Sequence, residues 1–193
     1  MNLKTKNNIE NLKKEASEQR VPIICDEGLA FLLDTIKANN VKTVLEIGTA
    51  VGYSAINMAL MVDRVDTFER DEMMISQAKS NIANFNLEHK ITLISADALL
   101  FDGDLQNYDL IFIDAAKAQY EKFFTKYAKN LNKSGVIVCD NLNFHNLKES
   151  EVSRQTRQLL RKINKFREFL KENIEYETTF FNVGDGMSIS KRR

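Results

Sequence analysis

The sequence predicts an α/β fold built on a parallel sheet covered by helices on both faces. Strand-length apolar runs recur at Thr43–Ile47, Val65–Glu69, Ile91–Ala96, Leu110–Asp114 and Val136–Asp140, each separated by a segment with helical periodicity. That alternation is the pattern of strand–helix–strand crossovers. The first run passes directly into a turn holding two glycines, Gly48 and Gly52, from which a helix starts. At 193 residues, one domain buries about 70% of the surface its unfolded chain exposes, so no second domain is needed.

Taken in order, residues 1–40 supply two helices and residues 41–193 the sheet, as one domain spanning 1–193. Asn7–Gln19 and Glu27–Ala38 read as helices, with Pro22 ending one and starting the approach to the other. Between strands, helices are expected at Tyr53–Val62, Asp71–Asn84, Tyr120–Leu131 and about Ser150–Glu172. The last pair of runs, Thr178–Val183 and Met187–Ser190, is joined by Gly184-Asp185-Gly186, a hairpin signal. Repeats and low-complexity segments are absent.

Composition narrows the function. Lys plus Arg and Asp plus Glu each number 27, so no global field draws the chain to nucleic acid or membrane, and any such attraction needs a local patch. With no signal peptide and no apolar run near 18 residues, a soluble cytoplasmic protein is expected. Cys25 and Cys139 lack His or Cys partners at ligand spacing, and Cys139, inside an apolar strand, reads as a buried thiol.

In an open parallel sheet, ligands bind in the crevice beyond the carboxyl ends of the strands. The turn Leu45-Glu46-Ile47-Gly48-Thr49-Ala50-Val51-Gly52-Tyr53-Ser54 leaves room there for a ribose-bearing ligand, because glycines let backbone approach without a Cβ in the way. Its G-x-x-x-G spacing is not the dinucleotide fingerprint. Glu69, 21 residues after Gly48, stands about where a carboxylate accepts both ribose hydroxyls. Asp114, Asp140 and Asn141 add three hard oxygen donors at neighbouring strand ends, a set that suits Mg²⁺. A single aspartate in such a place is more often a helix cap; two in adjacent strands, one followed by Asn141, shift the balance.

At this point the sequence resembles class I methyltransferases that use S-adenosylmethionine. L-E-I-G-T-x-x-G-Y-S, the F-I-D-A-x-K of Phe112–Lys117 and the D-N of Asp140-Asn141 are similar to the motifs of the cation-dependent O-methyltransferases, which include the catechol and caffeoyl-CoA enzymes. The resemblance implies a seven-stranded Rossmann-like sheet of order 3-2-1-4-5-7-6 with the last strand antiparallel, and a homodimer with the N-terminal helix as a candidate contact. It assigns Asp114, Asp140 and Asn141 as metal ligands, and Lys117 with Asp114 as the catalytic pair. A lysine beside a divalent cation is pushed toward its neutral form and can take a hydroxyl proton; alternatively the metal alone acidifies the hydroxyl and Lys117 only orients it. For the cofactor, the resemblance implies Glu46, Gly48, Thr49, Gly52, Ser54 and Glu69 around the turn. Asp97 and Ala98 would face the adenine, Ile23 would lend backbone to the amino acid end, and Asp114 would border both sites. Asp97 also reads as the cap of a following turn.

The acceptor is argued from the last long helix. Arg154 to Arg167 hold six basic side chains and no acid. At 100° per residue, Arg154, Arg157, Arg161 and Lys165 share a stripe roughly 80° wide, opposite Val152, Leu159, Ile163, Phe166 and Leu170. Such segregation in a chain of zero net charge reads either as a solvated face or as a phosphate-tracking surface, the latter reinforced if Lys191-Arg192-Arg193 lies nearby. Over the whole chain the resemblance extends to the bacterial branch that methylates 5-hydroxyuridine in the tRNA anticodon loop to 5-methoxyuridine. That base carries adjacent oxygens, and in a single-stranded loop it can be splayed into a pocket; Tyr53, Tyr120 and Phe144 are candidate stacking groups. The rival acceptor is a small catechol or phenylpropanoid. Outside this chemistry, the alternatives are a non-catalytic nucleotide- or RNA-binding module and a nicotinamide-dependent oxidoreductase, the latter disfavoured by the glycine spacing.

Overall fold

The structure, a computed structural model, describes residues 3–143 and 153–193. In chain order it holds α1 (Leu3–Glu18), α2 (Asp26–Ala38), β1 (Thr43–Ile47), α3 (Tyr53–Ala59), β2 (Arg64–Glu69), α4 (Glu72–Asn84), β3 (Ile91–Ser95), β4 (Tyr108–Ile113), α5 (Tyr120–Tyr127), β5 (Leu131–Cys139), α6 (Arg154–Glu172), β6 (Tyr176–Phe181) and β7 (Met187–Arg192). The strands form one seven-stranded sheet of order β3-β2-β1-β4-β5-β7-β6. β1 to β5 pair in parallel, and β7 runs antiparallel between β5 and β6. Among the described residues, no helix is long and apolar enough to cross a membrane.

Alternation along the strands sorts side chains into two cores. Val44, Leu110, Phe112, Val136 and Val138 join the layer that receives α1 to α4, while Leu45, Ile47, Ile111, Ile113, Ile137 and Cys139 join the layer that receives α5 and α6. Cys139 is thus the buried thiol expected. The second layer is rich in rings. Phe166 of α6 meets Tyr120 and Phe124 edge-on at 5.5 and 6.3 Å, which fixes how the helix sits over β4 and β5. Fully burying each such ring contributes about 1.5–3 kcal/mol, so α6 docks by this face rather than by its charges.

Caps set the helix starts. The Asp71 carboxylate accepts from the Met73 and Met74 amides, both at 3.0 Å, and Ser153 Oγ accepts from the Thr156 amide at 3.2 Å, each satisfying donors that the first turn leaves open.

Several expectations are corrected. The connection from β3 to β4 holds no helix; the Asp97 carboxylate accepts from the Leu99 amide at 2.8 Å and starts a turn instead. The third crossover helix stops at Tyr127, followed by a short 3-10 turn, Ala128–Asn130, because Leu131 already pairs with Tyr108 as the start of β5. The helix after the glycine turn ends at Ala59 rather than Val62, the chain tightening as the Met61 amide reaches back to Met58 O at 2.8 Å. On α6 the buried residues are Leu160, Ile163, Phe166 and Leu170, with Leu159 only half-buried. The start of that helix at Ser150, Val152 on its apolar face and Phe144 lie outside the described residues.

Candidate active site

A cavity of about 390 Å³ opens at the carboxyl ends of β1 to β5, within the range of small-molecule sites. Its floor is the turn after β1. Gly48 has φ +105°, and a Cβ there would stand 2.1 Å from the Asp114 carbonyl oxygen, so only glycine permits the end of β4 to come this close. Thr49, Ala50, Tyr53 and Ser54 continue the wall, and Pro22, Ile23 and Ile24, between α1 and α2, cross its mouth.

At the end of β2, the Glu69 carboxylate faces the cavity and accepts from three amides, those of Ala50 at 2.8 Å, Arg70 at 2.8 Å and Asp71 at 3.0 Å. This cradle holds the carboxylate in one place beside the turn. Next to it, Arg70 Nη1 donates to Asp97 Oδ2 at 2.7 Å. That contact and the Leu99 amide hold the Asp97 carboxyl below the usual carboxylate range. Asp97 therefore caps its turn and lines the cavity with Ala98 at once. Lys126 Nζ steadies that wall by donating to the carbonyls of Ala98, Leu99 and Phe101 at 2.9, 2.8 and 2.5 Å.

Glu46 and Gly52 are not part of the cavity surface. Glu46 is 0% exposed and accepts from Ser54 Oγ and Thr67 Oγ1, both at 2.5 Å, while the Thr67 hydroxyl also pairs with that of Thr49 at 2.6 Å. Burial pushes the Glu46 carboxyl up to about 7 against the pull of these hydroxyls. It braces the turn from behind, through Thr49 and Ser54, which do line the wall. Gly52, at φ +88°, starts α3 and faces Ala78 of α4.

The opposite wall gathers the predicted oxygen donors. Pairing of Ile113 with Cys139 puts Asp114 and Asp140 side by side at adjacent strand ends. Asn141, in the left-handed region at φ +61°, donates from Nδ2 to Asp114 Oδ1 at 2.9 Å and from its amide to Asp140 Oδ1 at 2.6 Å. Burial pushes both carboxyls up; Asp185 adds to this for both, Asp114 does so for Asp140, and Lys117 pulls both back down. A buried and a half-buried carboxylate that repel each other, with a carboxamide between them, fit a hard divalent cation, whose charge would offset the repulsion. The Asn141 amide turned over would present its oxygen. Among the described residues, no three His, Cys, Asp or Glu side chains are spaced to hold a metal by themselves; a third protein oxygen here would have to come from Asn141. Lys117 opens a 3-10 turn, Lys117–Gln119, on the same wall.

Stability should carry the mark of these acids. Groups whose folded pKa is raised stabilise the fold fully below their unfolded pKa and lose that contribution as pH rises through the folded value. The protein in chelator should therefore melt about 5 °C lower at pH 8 than at pH 5.5. Differential scanning calorimetry in chelator tests this; a melting point that rises over that interval contradicts it.

Of the remaining predicted groups, Tyr53 lines the cavity, but Tyr120 lies in the core against Phe166 and cannot stack on a ligand. Arg154, Arg161 and Lys165 are exposed and Arg157 half-buried; Lys165 Nζ lies 3.4 Å from Glu121 Oε2. Lys191–Arg193 does not extend the stripe at the rim. Arg192 pairs with Tyr176 at the far end of the sheet, where its guanidinium donates to Ala128 O at 2.8 Å. Sequence reasoning missed Arg70, Phe123 and Asp185 on the cavity wall. The Gly-Asp-Gly turn was the available signal for Asp185, since a hairpin beside β5 puts its tip at the same end of the sheet as Asp140.

The chain matches the family described as O-methyltransferase over residues 3–193. It is 32% identical over 187 residues to tapetum-specific methyltransferase 1 of Arabidopsis thaliana, covering 91% of this chain and 79% of that protein. To the caffeoyl-CoA O-methyltransferase of Populus kitakamiensis it is 26% identical over 193 residues, covering 93% and 82%. Among solved structures, a candidate caffeoyl-CoA O-methyltransferase from Staphylococcus aureus superposes with TM-score 0.87 at 39% identity, covering 96% of this chain and 92% of that one. An O-methyltransferase from Bacillus cereus in complex with SAH superposes with TM-score 0.81 at 24% identity, covering 97% and 91%, and speaks to the fold alone.

Proposed function

Because this chain belongs to the O-methyltransferase family and is an enzyme of that kind with the class I methyltransferase fold, we propose that S-adenosylmethionine is its donor and that a divalent cation, Mg²⁺ by its oxygen ligands, serves the acceptor. The observation that carries this reading is one cavity lined on one side by Glu69 and Asp97 and on the opposite side by Asp114, Asp140 and Asn141. Glu69 suits the ribose hydroxyls and Asp97 with Ala98 the adenine, leaving the sulfonium near Gly48 and Asp114. Asp114, Asp140 and Asn141 would hold the cation, which when bound draws charge from an acceptor hydroxyl and so eases its ionisation.

The protein's own work is alignment and proton handling. An acceptor oxygen attacks the methyl carbon, the C–S bond breaks with its electron pair staying on sulfur, and S-adenosylhomocysteine leaves. Lys117, on the same wall, takes the hydroxyl proton or orients the hydroxyl that loses it. The turn braced by Glu46 and the wall braced by Lys126 keep donor and acceptor in line, where most of the rate arises.

For the acceptor we favour 5-hydroxyuridine of the tRNA anticodon loop, methylated in the cytoplasm, on the strength of the exposed basic residues that α6 presents. A small catechol-like or phenylpropanoid acceptor is the second reading, supported by the caffeoyl-CoA O-methyltransferases among the similar proteins. Reversing Arg154, Arg157 and Arg161 to glutamate should lower methylation of tRNA isolated from cells lacking this protein by at least roughly 10-fold, with catechol turnover unchanged. Mass analysis of the tRNA nucleosides reads it out. Undiminished 5-methoxyuridine formation, or no 5-hydroxyuridine accumulating in those cells, sinks the tRNA reading.

A further inference from the structure

We propose that Arg167 of α6 is a positioning residue for the metal-ligand loop, an inference that rests on the cation reading of Asp114, Asp140 and Asn141. Although Arg167 belongs to the basic run of this helix, its guanidinium turns inward. Nη1 donates to Leu142 O at 3.1 Å and to Asn143 Oδ1 at 2.7 Å, and the guanidinium carbon lies 4.7 Å from the centre of the Phe180 ring. Both acceptors immediately follow the D-N pair.

From the other side the same two residues are tied to the β6–β7 hairpin. The Leu142 amide donates to Gly186 O at 2.8 Å, the Asn143 amide to Asp185 O at 2.7 Å, and Asn143 Nδ2 to Asn182 Oδ1 at 2.9 Å. A Cβ on Gly186 would fall 2.5 Å from the Asn143 amide nitrogen, so the hairpin tip lies directly against the loop. Between these supports, Asn141 is held at φ +61°, a conformation that a short polar residue accepts and that nothing within the residue itself enforces. The loop has two braces, one from the hairpin, of backbone bonds and the Asn143–Asn182 pair, and one of charge-assisted bonds from Arg167. Groups that orient metal ligands set metal affinity or activity, and a brace that acts on the loop backbone, away from the reacting atoms, acts through affinity.

The test is Mn²⁺ binding by the full-length, SAH-saturated protein, followed by electron paramagnetic resonance, alongside kcat as a function of Mg²⁺. Arg167→Met, which keeps the packing stem but removes the donors, should weaken Mn²⁺ binding by roughly 10- to 100-fold. SAH affinity should stay within about 2-fold, and raising Mg²⁺ should restore kcat. Arg167→Lys, which reaches one acceptor at most, should recover part of the loss. Asn143→Ala removes the facing acceptor without touching α6 and should weaken Mn²⁺ binding likewise, with Asn182→Ala, which removes only the hairpin tie of the same side chain, as its control; this keeps the question decidable if Arg167→Met does not fold. Wild-type Mn²⁺ affinity in these variants, or a kcat loss that added metal does not repair, overturns the assignment. If the wild-type protein itself takes up no Mn²⁺, the cation reading fails first and the proposal falls with it.

Discussion

Replacing Asp140 with alanine should abolish methyl transfer, by about 10³-fold or more, while the affinity for S-adenosylhomocysteine changes by less than about 3-fold. The carboxylate is 1% exposed, at the end of β5, across the cavity from Glu69 and Asp97. Its loss removes one of three oxygen donors and leaves the proposed nucleoside contacts intact. Folding should not suffer, because Asp140 sits in the native state under burial and the repulsion of Asp114, and taking one of two repelling acids away relieves the other. Calorimetric titration with S-adenosylhomocysteine beside steady-state rates in Mg²⁺ measures both effects. Chelator added to the wild-type enzyme should reproduce the variant's rate; turnover that survives chelation would show that no cation takes part.

A comparably large effect is expected of Gly48→Ala. The new methyl carbon would stand 2.1 Å from Asp114 O and 3.0 Å from its carbonyl carbon, both backbone, so relief requires moving either the turn or the end of β4. Holding a non-glycine residue at φ +105° adds about 1–3 kcal/mol. A fall in melting temperature of more than about 5 °C and a loss of roughly 100-fold in S-adenosylhomocysteine affinity should appear together. Gly52→Ala is the internal control. Its φ is also positive, at +88°, but the nearest atoms to a Cβ lie 3.7 Å away, so it should show the backbone cost without the collision and fall well short of Gly48→Ala. Equal effects at both positions would mean that conformation alone, not the approach of β4, makes glycine necessary at 48.

Much of the site was legible because strand ends carry their chemistry in the residue that follows the apolar run. β1 is observed as Thr43–Ile47, as predicted, and Asp114, Asp140 and Asn141 converge as their places after neighbouring strands imply. What local pattern could not show is what tertiary bonds decide. β4 and β5 start earlier than their apolar runs because Asp109 is stitched to the Lys42 and Thr43 amides at 2.9 and 3.0 Å and to Asn132 Nδ2 at 2.7 Å, making strand out of residues that read as loop. On the apolar face of α6, Ile163, Phe166 and Leu170 are buried as predicted and only Leu159 gives way to Leu160, since a 100° step is all that separates the two. Glu46 was assigned to the ligand, yet its carboxylate is enclosed by the Ser54 and Thr67 hydroxyls behind the cavity wall, tertiary partners that the strand pattern does not reveal. Arg167 was counted with the charges of its helix, and nothing in the spacing distinguishes an arginine that looks outward from one that ties down a loop.

The place of β7 has a consequence for how this chain is made. Emerging from the ribosome, β6 precedes the strand that must separate it from β5, so the nascent molecule first exposes β5 as an unsatisfied sheet margin, a template on which another chain can add. Only when β7 slides into that gap are β5, β6 and the hairpin tip beside Asn143 joined, and until then the sheet is two ladders short.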